Sequence, residues 1–232
     1  MKNNLIAFLL SALTVFVAPS AFAAQAQAQG QRTAQLPAME FFITSRAPGR
    51  GGNLGGLAGA DMHCQTLAAA VGAGGKTWRA YLSTQARPGQ PAINARDRIG
   101  NGPWRNPRGT IIAANHDELH GDTLEKAQQG SNLFKQSALN ERGDLVKGFG
   151  DTPNQHDILT GSQSDGRAFA GDEDRTCNNW TSEGAGSAQV GHSDRVGAGN
   201  TSWNSAHATP GCSLKSLIDV GGAGYFYCFA AD

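Results

Sequence analysis

The chain has 232 residues, with 19 basic and 19 acidic side chains and a net charge of zero at pH 7. A balanced charge of this kind gives no reason to expect a nucleic-acid-binding protein. The length is sufficient for one domain with a hydrophobic core.

The first 23 residues have the pattern of a secretory signal peptide. Lys2 precedes an apolar run at residues 5–17, and residues 21–23 (Ala-Phe-Ala) supply the small side chains that signal peptidase reads. A membrane anchor is the alternative, but the run is too short for a hydrocarbon core of ~30 Å. We therefore expect a protein secreted or exported to the periplasm, with no membrane insertion after cleavage.

Residues 24–38 are rich in Ala and Gln and predict a disordered linker before a domain at 39–232. Ala60, Cys64 and Leu67 recur on one face of a predicted helix. Alternating or apolar stretches predict further elements: strands at 39–44, 78–83, 156–161 and 225–229, a hairpin at 137–147 and a short helix at 117–129. Residues 162–210 hold few apolar side chains and predict a long functional loop. Together these elements predict an α+β domain.

Four cysteines follow the leader, at Cys64, Cys177, Cys212 and Cys228. An even number of cysteines in an exported protein indicates disulfide bonds rather than a reduced metal site. No pair has the C-x-x-C spacing of a zinc ribbon or a redox motif. The spacing leaves all three possible pairings open.

Three blocks of sequence stand out, in order: residues 59–83 around Cys64, residues 161–180 around Cys177 and Trp180, and residues 211–228 around the last two cysteines. Together they resemble the endostatin domains that end certain collagens. The resemblance covers most of 39–229 and is least in 85–150. It implies a C-type-lectin-like fold, nested disulfides Cys64–Cys228 and Cys177–Cys212, and a binding module rather than an enzyme.

Glycan binding is the function that this resemblance favours. The calcium motifs of C-type lectins are incomplete here, because Trp203-Asn204 is followed by Ser205 and Thr152-Pro153-Asn154 lacks the carboxylate. Sugars also stack on aromatic rings without calcium, and the loop offers suitable groups at Asn178, Asn179, Trp180, His192, Trp203, Asn204 and His207. The alternative is that Trp180 and Trp203 are core residues beside the inner disulfide.

The basic half of the chain suggests an anionic partner. Residues 46–108 contain nine basic and two acidic residues, whereas residues 111–232 contain eight basic and sixteen acidic ones. Endostatins bind heparan sulfate through arginines, and Arg79 lies in a block that resembles them. Charge alone adds six more arginines to a predicted face for a glycosaminoglycan-like partner: Arg46, Arg50, Arg96, Arg98, Arg105 and Arg108. The alternative is that the two halves interleave and their charges cancel.

Two clusters raise the question of a metal. His116 and His120 lie four residues apart, as in H-E-x-x-H zinc proteases, but Asp117 replaces the Glu base. Asp165, Asp172 and Asp174 offer carboxylates for calcium, with a solvated acidic loop as the alternative. No other cofactor is expected.

The sequence thus predicts an exported lectin or adhesin without the usual calcium site. The alternatives are a module that binds an extracellular or matrix protein and, third, a zinc hydrolase using His116 and His120.

Overall fold

The computed structural model describes residues 38–120, 131–197 and 201–232, which form a mixed α+β fold. These residues belong to one unit, Leu36–Asp232. The predicted signal peptide and residues 24–37 of the predicted linker lie outside the described residues. Among the described residues, no helix combines the length and the apolar character that crossing a membrane requires.

Short strands and helices make up the described elements. The strands are β1 Phe41–Ile43, β2 Trp78–Ala80, β3 Trp104–Arg105, β4 Ile111–Ala113, β5 Asp157–Leu159, β6 Gln189–His192, β7 His207–Ala208 and β8 Gly222–Ala230. The helices are α1 Gly56–Ala70, α2 His116–His120 and α3 Leu214–Ile218. A 3₁₀ turn spans Ala95–Arg98, and a turn at Cys177–Trp180 has φ angles between 47° and 68°.

Strand β8 is the centre of the main sheet. It pairs antiparallel with β1 and β2 and parallel with β5, and the sheet continues through β6 to β7. Successive side chains of a strand point to opposite faces. Phe226 and Cys228 therefore enter one core cluster, while Tyr227 and Phe229 enter the other. The order β8-β5-β6-β7 places three short, sequence-distant strands side by side at one end of the sheet.

Helix α1 covers the first core through the face that the sequence predicts. Ala60, Cys64 and Leu67 are buried there, and Gly72 follows the helix with φ of 80°, a conformation that glycine adopts without strain. The helix ends at Ala70, two residues before Gly72. Its apolar stripe thus fixes Cys64 against β8.

Both disulfides have the pairing that the resemblance implies. Cys64 is bonded to Cys228 and Cys177 to Cys212, across sequence separations of 164 and 35 residues. By restricting the unfolded chain, disulfides that close loops of these lengths stabilise the fold by about 5 and about 4 kcal/mol. The outer bond joins α1 to β8, and the inner one joins the left-handed turn to the segment before α3.

Several sequence-based boundaries need correction. The prediction of one long loop at 162–210 was wrong, because this segment contributes β6 and β7 to the main sheet. Backbone pairing of β6 with β5 and of β7 with β6 stabilises strands that have few apolar side chains. The hairpin predicted at 137–147 is reduced to one isolated bridge between Leu139 and Leu145. Helix α2 begins at His116, and residues 121–129 of the predicted helix lie outside the described residues.

Candidate metal centre

Three adjacent strands bring histidine and aspartate side chains to one place. Asp157 begins β5, and its register partner His192 ends β6. His207 begins β7, opposite Val190 of β6. His156 immediately precedes Asp157. Strand pairing, rather than nearness in sequence, therefore assembles this group, which we call the His–Asp cluster: His156, Asp157, His192 and His207.

Three imidazole nitrogens face the single carboxylate of the cluster. The Nε2 atoms of His156 and His192 each lie 3.3 Å from Oδ1 of Asp157. The Nε2 atom of His207 lies 3.3 Å from the other oxygen, Oδ2. The rings of His156 and His192 are stacked, with centroids 4.4 Å apart and planes 7° apart. The ligand atoms of His156, Asp157 and His192 all lie within 4.8 Å of one another.

The outer hydrogen bonds define which ring nitrogens are available. Nδ1 of His156 donates to Oδ1 of Asp194 over 2.9 Å, and Nδ1 of His207 donates to the carbonyl of Ala208 over 3.2 Å. In a neutral imidazole with hydrogen on Nδ1, Nε2 carries a lone pair. The lone pairs of His156 and His207 therefore point at a carboxylate, an arrangement that a shared cation stabilises.

The inner part of the cluster is removed from water. The side chains of His156, Asp157 and His192 are 5%, 1% and 3% exposed. Both oxygens of Asp157 and both ring nitrogens of His192 are buried without a hydrogen bond of good geometry in the described part of the chain. Buried polar atoms without partners are uncommon and costly, so this cluster is suited to bind a polar or charged ligand.

The electrostatics favour neutral imidazole at the inner position. Burial, followed by the neighbouring His156, lowers the pKa of His192 to about 4. The Asp157 carboxylate raises the pKa of His207 against the opposing effect of burial. Burial acts to raise the pKa of Asp194, but hydrogen bonds from His156 and from the backbone N–H groups of Phe149 and Val196 outweigh it and lower that pKa. Asp194 thus stays ionised and orients His156.

The two separations between the carboxylate oxygen and the imidazole nitrogens match a small tetrahedral ion. Bonds of about 2.0–2.1 Å, as zinc makes to imidazole and carboxylate, place neighbouring donors about 3.3 Å apart in a tetrahedron. The separations from Asp157 Oδ1 to His156 and His192 have this value, 3.3 Å each. The hydrogen bond from His156 to Asp194 supplies the outer carboxylate that metal-binding histidines commonly have.

Of the seven residues predicted to bind glycan, the structure brings only His192 and His207 into this cluster. Trp180 and Trp203 are fully buried, and their indole N–H groups donate to the carbonyls of Ser83 and Leu119. Neither ring offers a face to a sugar. Trp180 shares a core cluster with the inner disulfide, as the alternative predicted, whereas Trp203 belongs to the other core cluster. Asn204 is buried too, and its side-chain amide donates to the Tyr81 hydroxyl.

Asn178 and Asn179 lie elsewhere, in the left-handed turn at Cys177–Trp180. Asn179 exchanges two hydrogen bonds with the backbone of Gln85, at 2.8 and 3.0 Å, and so joins the turn to the strand region after β2. Asn178 is exposed and donates to the Thr181 hydroxyl. The turn therefore has an evident structural role, and glycan binding through it stays a prediction.

The predicted arginine face is largely engaged with acidic groups. Arg79 and Arg98 both bind the carboxylate of Asp61, at 2.8 and 2.7 Å. Other members of the set contact carboxylates or backbone carbonyls: Arg50 with Glu183, Arg105 with Glu40, Arg96 with Asp165 and Arg108 with Gly143. Arg46 is in the exposed segment before α1. Binding of an anionic glycan by these residues stays a prediction.

The pair His116 and His120 lies in an aromatic environment. His120 Nδ1 donates to the carbonyl of His116 over 3.1 Å, and Nε2 is 2.8 Å from the Tyr81 hydroxyl. Within the described residues, the pair belongs to no group of three metal-ligating side chains. Burial lowers the pKa of His120 to about 3, so this ring is neutral in the folded protein.

The acidic residues proposed for calcium are separate from one another in their contacts. Asp165 pairs with Arg167 at 2.6 Å, and Asp174 accepts hydrogen bonds from the backbone of Thr176 and Asn178. Asp172 is exposed. They form no group of three close ligands in the part of the chain that the structure describes.

Sequence reasoning missed His156, Asp157 and Asp194. His156 and Asp157 were interpreted only as the start of a strand, and their signal was the adjacent pair of ligand types entering a buried strand. Finding the cluster also required knowing that β5 pairs with β6. That pairing brings together Asp157 and His192, which are 35 positions apart.

Comparison with known proteins supplies no identity. No family model matches the chain, and no curated protein matches it. The resemblance to endostatin domains therefore stays a prediction.

Proposed function

We propose that this protein is an exported binding domain with a C-type-lectin-like fold that holds one divalent transition-metal ion through His156, Asp157 and His192. The observation that carries the proposal is the convergence of imidazole Nε2 atoms on a buried carboxylate that makes no hydrogen bond of good geometry within the described residues. A cation between these atoms pairs with Oδ1 of Asp157 and with the Nε2 atoms of His156 and His192. Export is supported by the N-terminal leader pattern and by the two disulfides, which persist in oxidising compartments.

The donor set indicates which ion fits. Calcium prefers six to eight oxygen ligands, whereas imidazole nitrogen suits zinc, copper, nickel and iron. Two imidazoles and one carboxylate, with both carboxylate–imidazole separations at 3.3 Å, favour zinc. The sequence pattern placed a possible zinc site at His116 and His120. The proposed site uses a different pair of histidines, His156 and His192.

Calorimetric titration of the metal-free protein with Zn²⁺ tests the proposal. We expect one equivalent to bind to the wild-type chain, and we expect Asp157→Asn to weaken binding by more than about 100-fold, since it removes the only anionic inner ligand. Asp144→Asn is the matched control, because Asp144 is an exposed carboxylate that contacts Asn140 and Arg142. Circular dichroism of each variant checks that it folds. Absence of binding, or equal binding by Asp157→Asn, would contradict the proposal.

A further inference from the structure

We infer that metal binding at the His–Asp cluster orders the neighbouring loop at residues 147–155, and that the Asp194 carboxylate transmits the effect. This inference rests on the proposed metal binding. It adds a conformational change that the ion controls, which is the fixing of exposed apolar side chains beside the metal centre.

The loop at residues 147–155 has little burial of its own. Gly148 is the only buried residue in this fully described segment, and the backbone N–H of Gln155 donates to the carbonyl of Lys147 over 3.1 Å, so the two ends of the loop lie together. Inside the loop, the N–H of Gly148 donates to the Asp151 carboxylate over 2.8 Å. Segments with few buried apolar contacts open locally at a low free energy. The position of this loop therefore depends on a small number of hydrogen bonds.

A hydrogen bond to Asp194 joins the loop to the metal centre. Oδ2 of Asp194 accepts the backbone N–H of Phe149 over 2.6 Å, and Oδ1 accepts the Nδ1 hydrogen of His156 over 2.9 Å. The Asp194 side chain is 1% exposed, and any side chain at Gly148 would collide with its carboxylate. The contact is therefore close and shielded from water, and a shift of this carboxylate moves the loop.

The position of one hydrogen on His156 determines whether this link is intact. A neutral imidazole has one N–H, and His156 lies between two carboxylates, with Nε2 3.3 Å from Asp157 and Nδ1 2.9 Å from Asp194. Without an ion the hydrogen can lie on either nitrogen, and a hydrogen on Nε2 leaves the Nδ1 lone pair facing Asp194, which repels it. An ion on Nε2 confines the hydrogen to Nδ1. The ion thus holds Asp194, and with it Phe149, in one position.

The backbone groups that Asp194 binds belong to exposed apolar residues. Phe149 and Val196 are both exposed, and the backbone N–H of each donates to Asp194, over 2.6 and 3.1 Å. The centroid of the Phe149 ring lies 6.2 Å from that of His156. Metal binding therefore fixes an apolar surface immediately beside the His–Asp cluster.

Hydrogen–deuterium exchange of the full chain, followed by NMR with Zn²⁺ in excess or with a chelator, measures the effect at single amides. We expect Zn²⁺ to slow exchange of the Phe149 amide by about 5-fold or more, the lower range of coupling between linked sites. The Gly143 amide is the internal reference, because it donates to the carbonyl of Asn140 in a turn outside the cluster. Its exchange should change by less than about 2-fold.

Two aspartate variants separate the link from the loop itself. At saturating Zn²⁺, Asp194→Asn should lose the response at Phe149, because an amide whose oxygen accepts from His156 presents its NH₂ group to the Phe149 N–H. Asp151→Asn weakens the internal bond to Gly148, so its Phe149 amide should exchange faster in both states but retain the response to Zn²⁺. Circular dichroism checks that each variant folds, and the wild-type comparison decides the inference if Asp194→Asn does not.

The outcomes distinguish this inference from the proposal of a metal site. If calorimetry shows that Zn²⁺ binds but Phe149 exchanges at the same rate with and without it, the inference is wrong and the metal site stands. Equal slowing at Phe149 and Gly143 also overturns it, because global stabilisation then explains the protection. A response that persists in folded Asp194→Asn would exclude Asp194 as the link. If the wild-type chain binds no Zn²⁺, the proposed metal site itself fails, and the inference fails with it.

Discussion

Two pairs of stacked histidines lie in this fold, and their surroundings differ. The rings of His116 and His120 are 5.5 Å apart within an aromatic cluster, and those of His156 and His192 are 4.4 Å apart beside Asp157. In the first pair, both nitrogens of His120 have hydrogen-bond partners. In the second pair, the Nε2 atoms face a carboxylate. A buried carboxylate, rather than the spacing of the rings, therefore separates a candidate metal site from a structural pair.

The largest expected effect on Zn²⁺ affinity comes from replacing one histidine of each pair. His192→Gln should weaken Zn²⁺ binding by more than about 100-fold, because it removes an inner ligand, whereas His120→Gln should leave the affinity within about 2-fold. Calorimetry on both variants and on the wild-type chain measures this difference. His63→Gln is a control, since His63 lies on α1 and contacts only the Arg46 carbonyl and the Phe226 ring among its described partners. Equal losses at His120 and His192 would remove the distinction.

Acid should destabilise the protein through the structural pair. Burial lowers the pKa of His120 to about 3 from its ordinary value of 6.5, so the unfolded chain binds a proton that the folded chain excludes. This contribution to stability is complete above pH 6.5 and is lost as the pH falls from 6.5 toward 3. At pH 4.5 the loss is about 2–3 kcal/mol of unfolding free energy.

Urea unfolding with a chelator present, at pH 7 and pH 4.5, measures this effect without a contribution from metal. His120→Gln lacks the titrating ring, so its unfolding free energy should fall by about 2–3 kcal/mol less than that of the wild type. The readout is the difference between the two pH values, and it stands even if the variant is less stable at both. An unchanged pH dependence in His120→Gln would show that its ring does not stay neutral when folded.

Prediction from sequence succeeded where the cause is local. Apolar residues repeat about every 3.6 positions in a helix and every 2 in a strand, and both repeats are visible among neighbouring residues. They correctly predicted the buried face of α1, the buried Trp78 and the closing strand around Tyr227. Strands β6 and β7 have no such pattern, because backbone pairing stabilises them, of β6 with β5 and of β7 with β6. The His–Asp cluster depends on that pairing. The zinc prediction was therefore based on His116 and His120, four residues apart in sequence, and Asp157 was not recognised.

An intermediate effect is expected at the outer carboxylate. Asp194 accepts the Nδ1 hydrogen of His156 and two backbone hydrogens, from Phe149 and Val196. Asp194→Asn retains an acceptor but loses the charge that makes the imidazole a stronger ligand, so Zn²⁺ affinity should fall by about 10-fold. Asp151→Asn is the control, since this carboxylate lies five residues before His156 in the chain and pairs with Lys135. Calorimetry that finds no difference between the two variants would exclude an orienting role for Asp194.

The smallest effect tests whether the two histidine regions are independent. The Tyr81 hydroxyl accepts from the Asn204 amide at 3.0 Å and donates to His120 Nε2 at 2.8 Å. Tyr81→Phe leaves Nε2 of His120 without its partner, whereas the Asn204 amide keeps the carbonyls of Gln163 and Ser164. The expected loss is about 1–2 kcal/mol of unfolding free energy, the cost of one buried unsatisfied group. Because no ligand of the His–Asp cluster touches Tyr81 in these contacts, the Zn²⁺ affinity should not change; a loss of affinity would mean that the aromatic cluster and the metal centre act as one unit.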